Sequence, residues 1–195
     1  LPISCEKIKY MFPKAHAAAY VMMAWRIAWC KIHHPLAYYA AYFSIRAKAF
    51  NYEVMCMGRD KAERTLADYI RRKDIKDKEE ALSNKEVNEL SDLRIVQEMY
   101  ARGYEFMPMD IYRAKSRLCQ IIDGRIMPPL NSVDGLGDVA AEAIAEGAKG
   151  GEFLSKEDFI ARTKASKTAA DKLQALGILS GIPDSNQISL FDLMK

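Results

Sequence analysis

The 195-residue sequence predicts a mainly α-helical fold with one small β-sheet and an extended C-terminal tail. Three observations lead there. Long stretches repeat apolar residues at helical spacing between recognisable start and stop residues. Asp123-Gly124 lies between two short apolar segments as a strong hairpin-turn signal, and beyond Pro183 the chain turns polar. With 50% hydrophobic and 28% charged residues, the chain is able to bury a sizeable core and is not of disordered composition. It begins at Leu1 without the basic, apolar, small-residue pattern of a signal peptide, and it reads as a fragment or processed product.

From Lys14, KAHAAAYVMMAWRIAWCKIHH is apolar nearly all round, with alanines that permit close helix contact, so a helix packed on several sides is expected. Pro13 is well placed for its first turn. The most apolar run, residues 15–30, is interrupted by His16 and Arg26 and falls short of the roughly 20 residues a bilayer requires, which favours a buried helix and no membrane. Pro35 breaks the pattern. Residues 36–50 resume it, with Tyr38, Tyr39, Tyr42 and Phe43 as a broad aromatic surface, so two antiparallel helices joined at His34 and Pro35 are expected.

Residues 60–73 are amphipathic through Ala62, Leu66, Tyr69 and Ile70, and the charged run 73–80 reads as a solvated helix end or connector. Ser83 and Glu86 form a capping-box pattern ahead of Val87, Leu90, Leu93, Val96 and Met99, with Gly103 as the stop. Segments 104–107, 117–122 and 125–127 predict a small sheet, closed by Pro128-Pro129.

SVDGLGDVAAEAI, residues 132–144, places two glycines one residue apart before good helix formers. Gly135 and Gly137 allow positive φ or the approach of another molecule, and a helix starting near Asp138 aims its unpaired N–H groups and positive dipole end outward. Such a turn suits a phosphate; taken alone, it also fits an ordinary tight turn with Asp138 as a favourable first-turn acid. The helix is expected over 138–146, stopped by Gly147. Ser155 and Asp158 offer a second cap. KASKTAADKLQALGIL then predicts a helix over 169–176 ended by Gly177, so 132–144 and 166–176 form a degenerate repeat whose second copy lacks the glycines.

Charge is uneven along the chain. Residues 1–60 carry 8 basic and 3 acidic side chains, 61–131 carry 14 and 13, and 132–183 carry 6 and 8. Affinity for a phosphate backbone should therefore come mainly from the first third, and contact at the glycine turn must rely on backbone amides. Asp134 and Asp138 repel a phosphate unless they point away, while Lys164 and Lys167 near the second turn supply positive charge. Cys5, Cys30, Cys56 and Cys119 show no paired spacing, which fits a reducing compartment and the cytoplasm. His16, His33, His34 and Cys30 lack a fourth ligand of suitable spacing, so no metal site is expected. Asp158 lies at a separation from the hairpin that matches the catalytic acid of helix-hairpin-helix glycosylases, though its capping pattern is the simpler explanation.

The stretch FPKAHAAAYVMMAWRIAWCKIHHPLAYYAAYFSIRA, residues 12–47, resembles the late fingers region of bacterial replicative DNA polymerase III α subunits, closest to the PolC type of low-GC Gram-positive bacteria. SVDGLGDVAAEAI and its repeat resemble that family's tandem helix-hairpin-helix, and QISLF its sliding-clamp-binding pentapeptide. The resemblance covers nearly the whole chain, most weakly residues 51–91. It implies late fingers helices (1–57), a helical connector (58–103), a small β segment (104–130), a tandem helix-hairpin-helix duplex-binding domain (131–183) and a clamp-binding tail (184–195).

Carried over by position, Lys14 and His16 match fingers positions near the incoming deoxynucleoside triphosphate and template. Gly135, Leu136, Gly137, Asp138, Lys164, Lys167 and Thr168 fall on the duplex-binding hairpins. Gln187, Ile188, Ser189, Leu190 and Phe191 form the clamp motif, Ile188 standing where Leu is commoner. The family's palm aspartates, which hold the catalytic Mg2+, are not in this sequence, so no catalytic residue and no bound cofactor are expected here. The resemblance thus implies part of a DNA-directed DNA polymerase that holds primer-template DNA without reading sequence and engages the sliding clamp in the replisome on the nucleoid. The alternatives are a stand-alone helix-hairpin-helix repair glycosylase and a helical protein-interaction scaffold.

Overall fold

In the computed structural model, residues 13–75 and 80–185 are described. The clamp-motif residues Gln187, Ile188, Ser189, Leu190 and Phe191 and part of the charged run 73–80 lie outside them. Among the described residues there are eight α-helices and one two-stranded sheet: α1 (Lys14–His33), α2 (Pro35–Ala41), α3 (Tyr52–Met55), α4 (Arg59–Arg72), α5 (Asn84–Ala101), β1 (Gln120–Ile122), β2 (Arg125–Met127), α6 (Asp138–Ala148), α7 (Lys156–Thr163) and α8 (Lys167–Ala175). Helix α2 widens into a π-type turn over Tyr42–Arg46, and a 3-10 turn, Leu130–Ser132, precedes the glycine hairpin.

Helix α1 departs from expectation. Its length agrees with the sequence reading, but no residue of it is buried. Trp25 is 75% exposed and Ile32 67%, and the long-range side-chain contacts of the helix among the described residues lie at its C-terminal end. There Lys31 Nζ pairs with Glu98 at 2.6 Å, and Arg102 donates to the Lys31 carbonyl at 3.2 Å. The aromatic face reverses in the opposite sense. Tyr39 and Phe43 are buried rather than presented as a surface, and Phe43 stacks on Phe50 and packs against Phe106.

Helix α5 is the axis of the fold. Its capping box forms as the sequence predicts, Ser83 accepting from the Glu86 amide and Glu86 from the Ser83 amide. Leu90, Leu93, Val96 and Met99 are buried while Val87 is exposed. Against it packs α4 through Ala62, Leu66 and Tyr69, with Ile70 half exposed instead of contributing to that face. Two buried carboxylates on α5 fasten residues 47–51. Asp92 accepts from the Lys48 and Ala49 amides, each at 2.9 Å, and from Tyr42 Oη at 3.0 Å; Glu89 accepts from Asn51 Nδ2 at 3.0 Å and Tyr69 Oη at 2.7 Å. Burial and the neighbouring Asp92 charge push the Tyr42 phenol up to about 12. With every carboxylate oxygen engaged, these side chains are tolerated in the interior.

The hairpin is as the sequence predicts. β1 and β2 pair antiparallel with Ile122 opposite Arg125, and Asp123 and Gly124 both take positive φ (49° and 73°), the type I′ geometry that matches strand twist. Phe106 bridges to Ile126, which joins segment 104–107 to the sheet. The core is continuous from Tyr39 through α5 and the sheet to Phe159, Leu173 and Leu179.

Candidate nucleic-acid interface

The glycine turn is built by a short internal hydrogen bond. The Leu136 amide donates to the Val133 carbonyl at 3.0 Å, and Gly135 closes the bend at φ +82°, a left-handed value that favours glycine. Leu136 is 5% exposed and joins the core. Its side chain is therefore a plug that anchors the turn, and its N–H is already used. Leu136, one of the expected hairpin residues, thus belongs to the turn through its backbone and to the core through its side chain.

Gly137 is different. It occupies the N-cap of α6 with φ −69° and ψ 164°, a backbone any residue adopts, and a Cβ built there meets nothing within 4 Å. Neither conformation nor crowding inside the chain calls for glycine. Among the described residues no side chain caps α6 at this point, so its first amides have no side-chain acceptor and carry the positive end of the helix dipole. Space kept free beside unclaimed donors is what an approaching anionic oxygen needs.

The two acids of the turn are neutralised from distant parts of the chain. Asp134 Oδ1 lies 2.5 Å from Lys85 Nζ on α5 and Oδ2 3.8 Å from Lys172 on α8, while Lys172 also pairs with Glu53 at 2.6 Å. Hydrogen bonding to Lys85 holds the Asp134 carboxyl below its ordinary range. Asp138 accepts from Asn131 Nδ2 at 2.9 Å and lies 3.4 Å from Arg117 Nη1, whose other nitrogen pairs with Glu142 at 2.8 Å. The acidity of the segment is thus largely compensated in space. Sequence reasoning missed Lys85, Lys172 and Arg117 because none is near the turn in the chain.

The second turn joins α7 to α8. Lys164 ends α7 in the left-handed region (φ 54°), and Ser166 caps α8 by accepting from the Ala169 amide at 3.1 Å. The two turns meet. Val133, Asp134, Gly135 and Leu136 share a cleft of about 90 Å³ with Ser166, Thr168, Ala169 and Lys172. On the other side of the glycine turn, an open cleft of about 410 Å³ is lined by Asn51, Lys85, Glu89 and residues 131–137. Of the remaining expected residues, Thr168 lines the smaller cleft, Lys164 lies beside Gly147, Gly150 and Arg162, and Lys167 opens α8.

Lys14 and His16 line neither cleft. They stand in the first turn of α1, His16 against the Tyr20 ring at 4.4 Å, about 25 Å along the helix from the Lys31 anchor at 1.5 Å per residue. The structure therefore gathers the hairpin residues and leaves these two apart.

One sequence expectation about this region changes. Helix α6 runs through Gly147 to Ala148 instead of stopping at Gly147, and α7 packs so closely against it that a Cβ on Gly147 would meet Thr163 Cγ2 at 2.8 Å. Arg162, which the sequence did not single out, is the clamp of that contact: its guanidinium donates to the carbonyls of Gly147, Gly151 and Glu152 and lies 4.4 Å over the Phe153 ring. Asp158 is a capping residue. Its amide donates to Ser155 Oγ, its carboxylate accepts from the Leu154 amide at 3.1 Å, and Arg162 is 3.4 Å away. Among the described residues no group of three or more His, Cys, Asp or Glu is placed to hold a metal, Cys30, Cys56 and Cys119 are free, and no helix is long and apolar enough to cross a membrane.

Two turns meet here, a Gly-x-Gly turn between the 3-10 turn and α6 and a second turn between α7 and α8, an arrangement similar to a helix-hairpin-helix pair. The helix-hairpin-helix motif family matches residues 103–188. The chain as a whole is homologous to bacterial proteins named DNA polymerase III PolC-type: it is 45% identical over 97% of its length to that of Streptococcus sanguinis (strain SK36), 45% over 96% to that of Caldanaerobacter subterraneus subsp. tengcongensis, and 46% over 97% to that of Streptococcus mutans serotype c. In each case the chain spans 13% of the relative's length.

Proposed function

We propose that this chain is the part of a PolC-type replicative DNA polymerase that holds the primer-template duplex, through its helix-hairpin-helix turns and without reading sequence, and that tethers the enzyme to the sliding clamp through residues 187–191. The observation that carries the duplex reading is Gly137, a glycine that neither backbone nor packing requires, placed beside the uncapped start of α6. Backbone amides grip phosphate oxygens irrespective of base. On this reading nucleotide addition, its Mg2+ and the triphosphate belong to palm residues elsewhere in the polymerase, with Lys14 and His16 of α1 reaching toward the nucleotide. In the tail, Gln187, Ile188 and Ser189 would lie along the clamp's rim, Gln187 hydrogen-bonding there, while Leu190 and Phe191 fill an apolar cleft.

Titration of the 195-residue chain with duplexes of unrelated sequence, at several salt concentrations, tests the first half. Equal affinities with a linear fall of log K against log salt are expected; absence of salt-dependent binding overturns it. The tail is tested by Leu190→Ala with Phe191→Ala in a pull-down on sliding clamp. Clamp capture should vanish while duplex binding stays, and unchanged capture rejects the tail assignment.

A further inference from the structure

We propose that Lys85 is a phosphate-contacting residue of the glycine hairpin, and that Asp134 holds it at the mouth of the larger cleft until a phosphodiester of the duplex replaces the carboxylate. This rests on the duplex-binding reading above and adds to it a residue 49 positions from the turn. Lys85 Nζ and Asp134 Oδ1 are 2.5 Å apart, with side chains 53% and 50% exposed. An ion pair so open to water is weakly held, so the lysine changes partner at small cost. Lys172 is less free to do so, because Glu53 holds it at 2.6 Å against 3.8 Å to Asp134.

The surroundings favour an anion. Lys85 lines the same cleft as Gly135 and Gly137, so its side chain and the glycine turn that leads into α6 border one space. Glu89, the other carboxylate on that cleft, is 2% exposed and engaged by Asn51 and Tyr69, which turns its charge inward. Nor does α5 explain the lysine. It stands in the first turn of that helix, where a cation opposes the dipole. Asp134 then acts as an internal stand-in for phosphate, keeping the ammonium extended across the cleft.

Anisotropy titrations of a fluorescent 20-base-pair duplex with the 195-residue chain, across salt concentrations, test the assignment. Asp134→Asn should raise affinity about threefold and leave the log–log salt slope unchanged, because Lys85 neutralises the same single phosphate with or without the carboxylate. Lys85→Met should lower affinity about threefold and flatten the slope by about 0.9, while Lys85→Arg retains binding. The double variant, Asp134→Asn with Lys85→Met, should show no gain over Lys85→Met. A gain that persists without the lysine, or weaker binding by Asp134→Asn with an unchanged thermal melt, overturns the proposal and leaves duplex binding intact. A wild-type chain that does not bind duplex overturns both readings.

Discussion

The two hairpin turns are related in sequence and finish their helices differently. At the second, Ser166 satisfies the Ala169 amide from within, and Lys164 and Lys167 add positive charge around a turn that is otherwise closed. At the first, Gly137 leaves α6 without a side-chain cap, and the charge of the turn itself is acidic but paired to Lys85 and Arg117. A capped helix start is chemically complete, whereas an uncapped one presents donors outward. The pair therefore divides the work. On the proposed reading the glycine turn offers amides to a phosphate, and the serine turn lies across the small cleft that they share.

Transplanting the cap gives the largest expected effect. Gly137→Ser places a Cβ in the space beside the turn and lets the new hydroxyl take one of the first amides of α6. Duplex affinity should fall at least about tenfold, while the melting temperature holds or rises slightly, because a serine cap exceeds glycine by only a few tenths of a kcal/mol. Parallel fall of affinity and stability would show that Gly137 serves the fold. The reciprocal change should have the opposite profile: Ser166→Ala removes a cap worth about 1 kcal/mol, visible in a urea midpoint, with duplex affinity altered less than twofold. Strong loss of affinity there would make the second turn a direct contact and erase the distinction.

What the sequence made legible in this region was local. The Ser83 and Glu86 capping box, the cap at Ser155 and the Asp123-Gly124 turn depend on residues within three or four positions of one another, and all form. Contacts made by tertiary packing were not legible. Nothing near Gly147 signals that α7 would press against it or that α6 would run two residues further, to Ala148, and nothing near Asp134 points to Lys85. Helix α1 failed for the complementary reason. Its pattern states that apolar surface is to be covered, but composition cannot say by what, and among the described residues nothing covers Trp25 or Ile32. The glycines of the candidate site were visible in sequence, whereas the charges that neutralise its acids had to await the fold.

The smallest expected effect separates charge from backbone in the second turn. Lys164 holds φ 54° without being glycine or asparagine, a conformation in which a Cβ crowds the following carbonyl at a cost of about 1 kcal/mol. Lys164→Gly should therefore stabilise the domain by up to about 1 kcal/mol as a C-cap, and at the same time weaken duplex binding about threefold by removing one cation near the backbone. Opposite signs in the thermal melt and the salt titration would show that this lysine is kept for its charge despite its conformation. If stability rises with affinity and salt slope unchanged, Lys164 makes no phosphate contact. The positive contribution of the second turn then narrows to Lys167, at the start of α8 and next to Thr168 on the shared cleft.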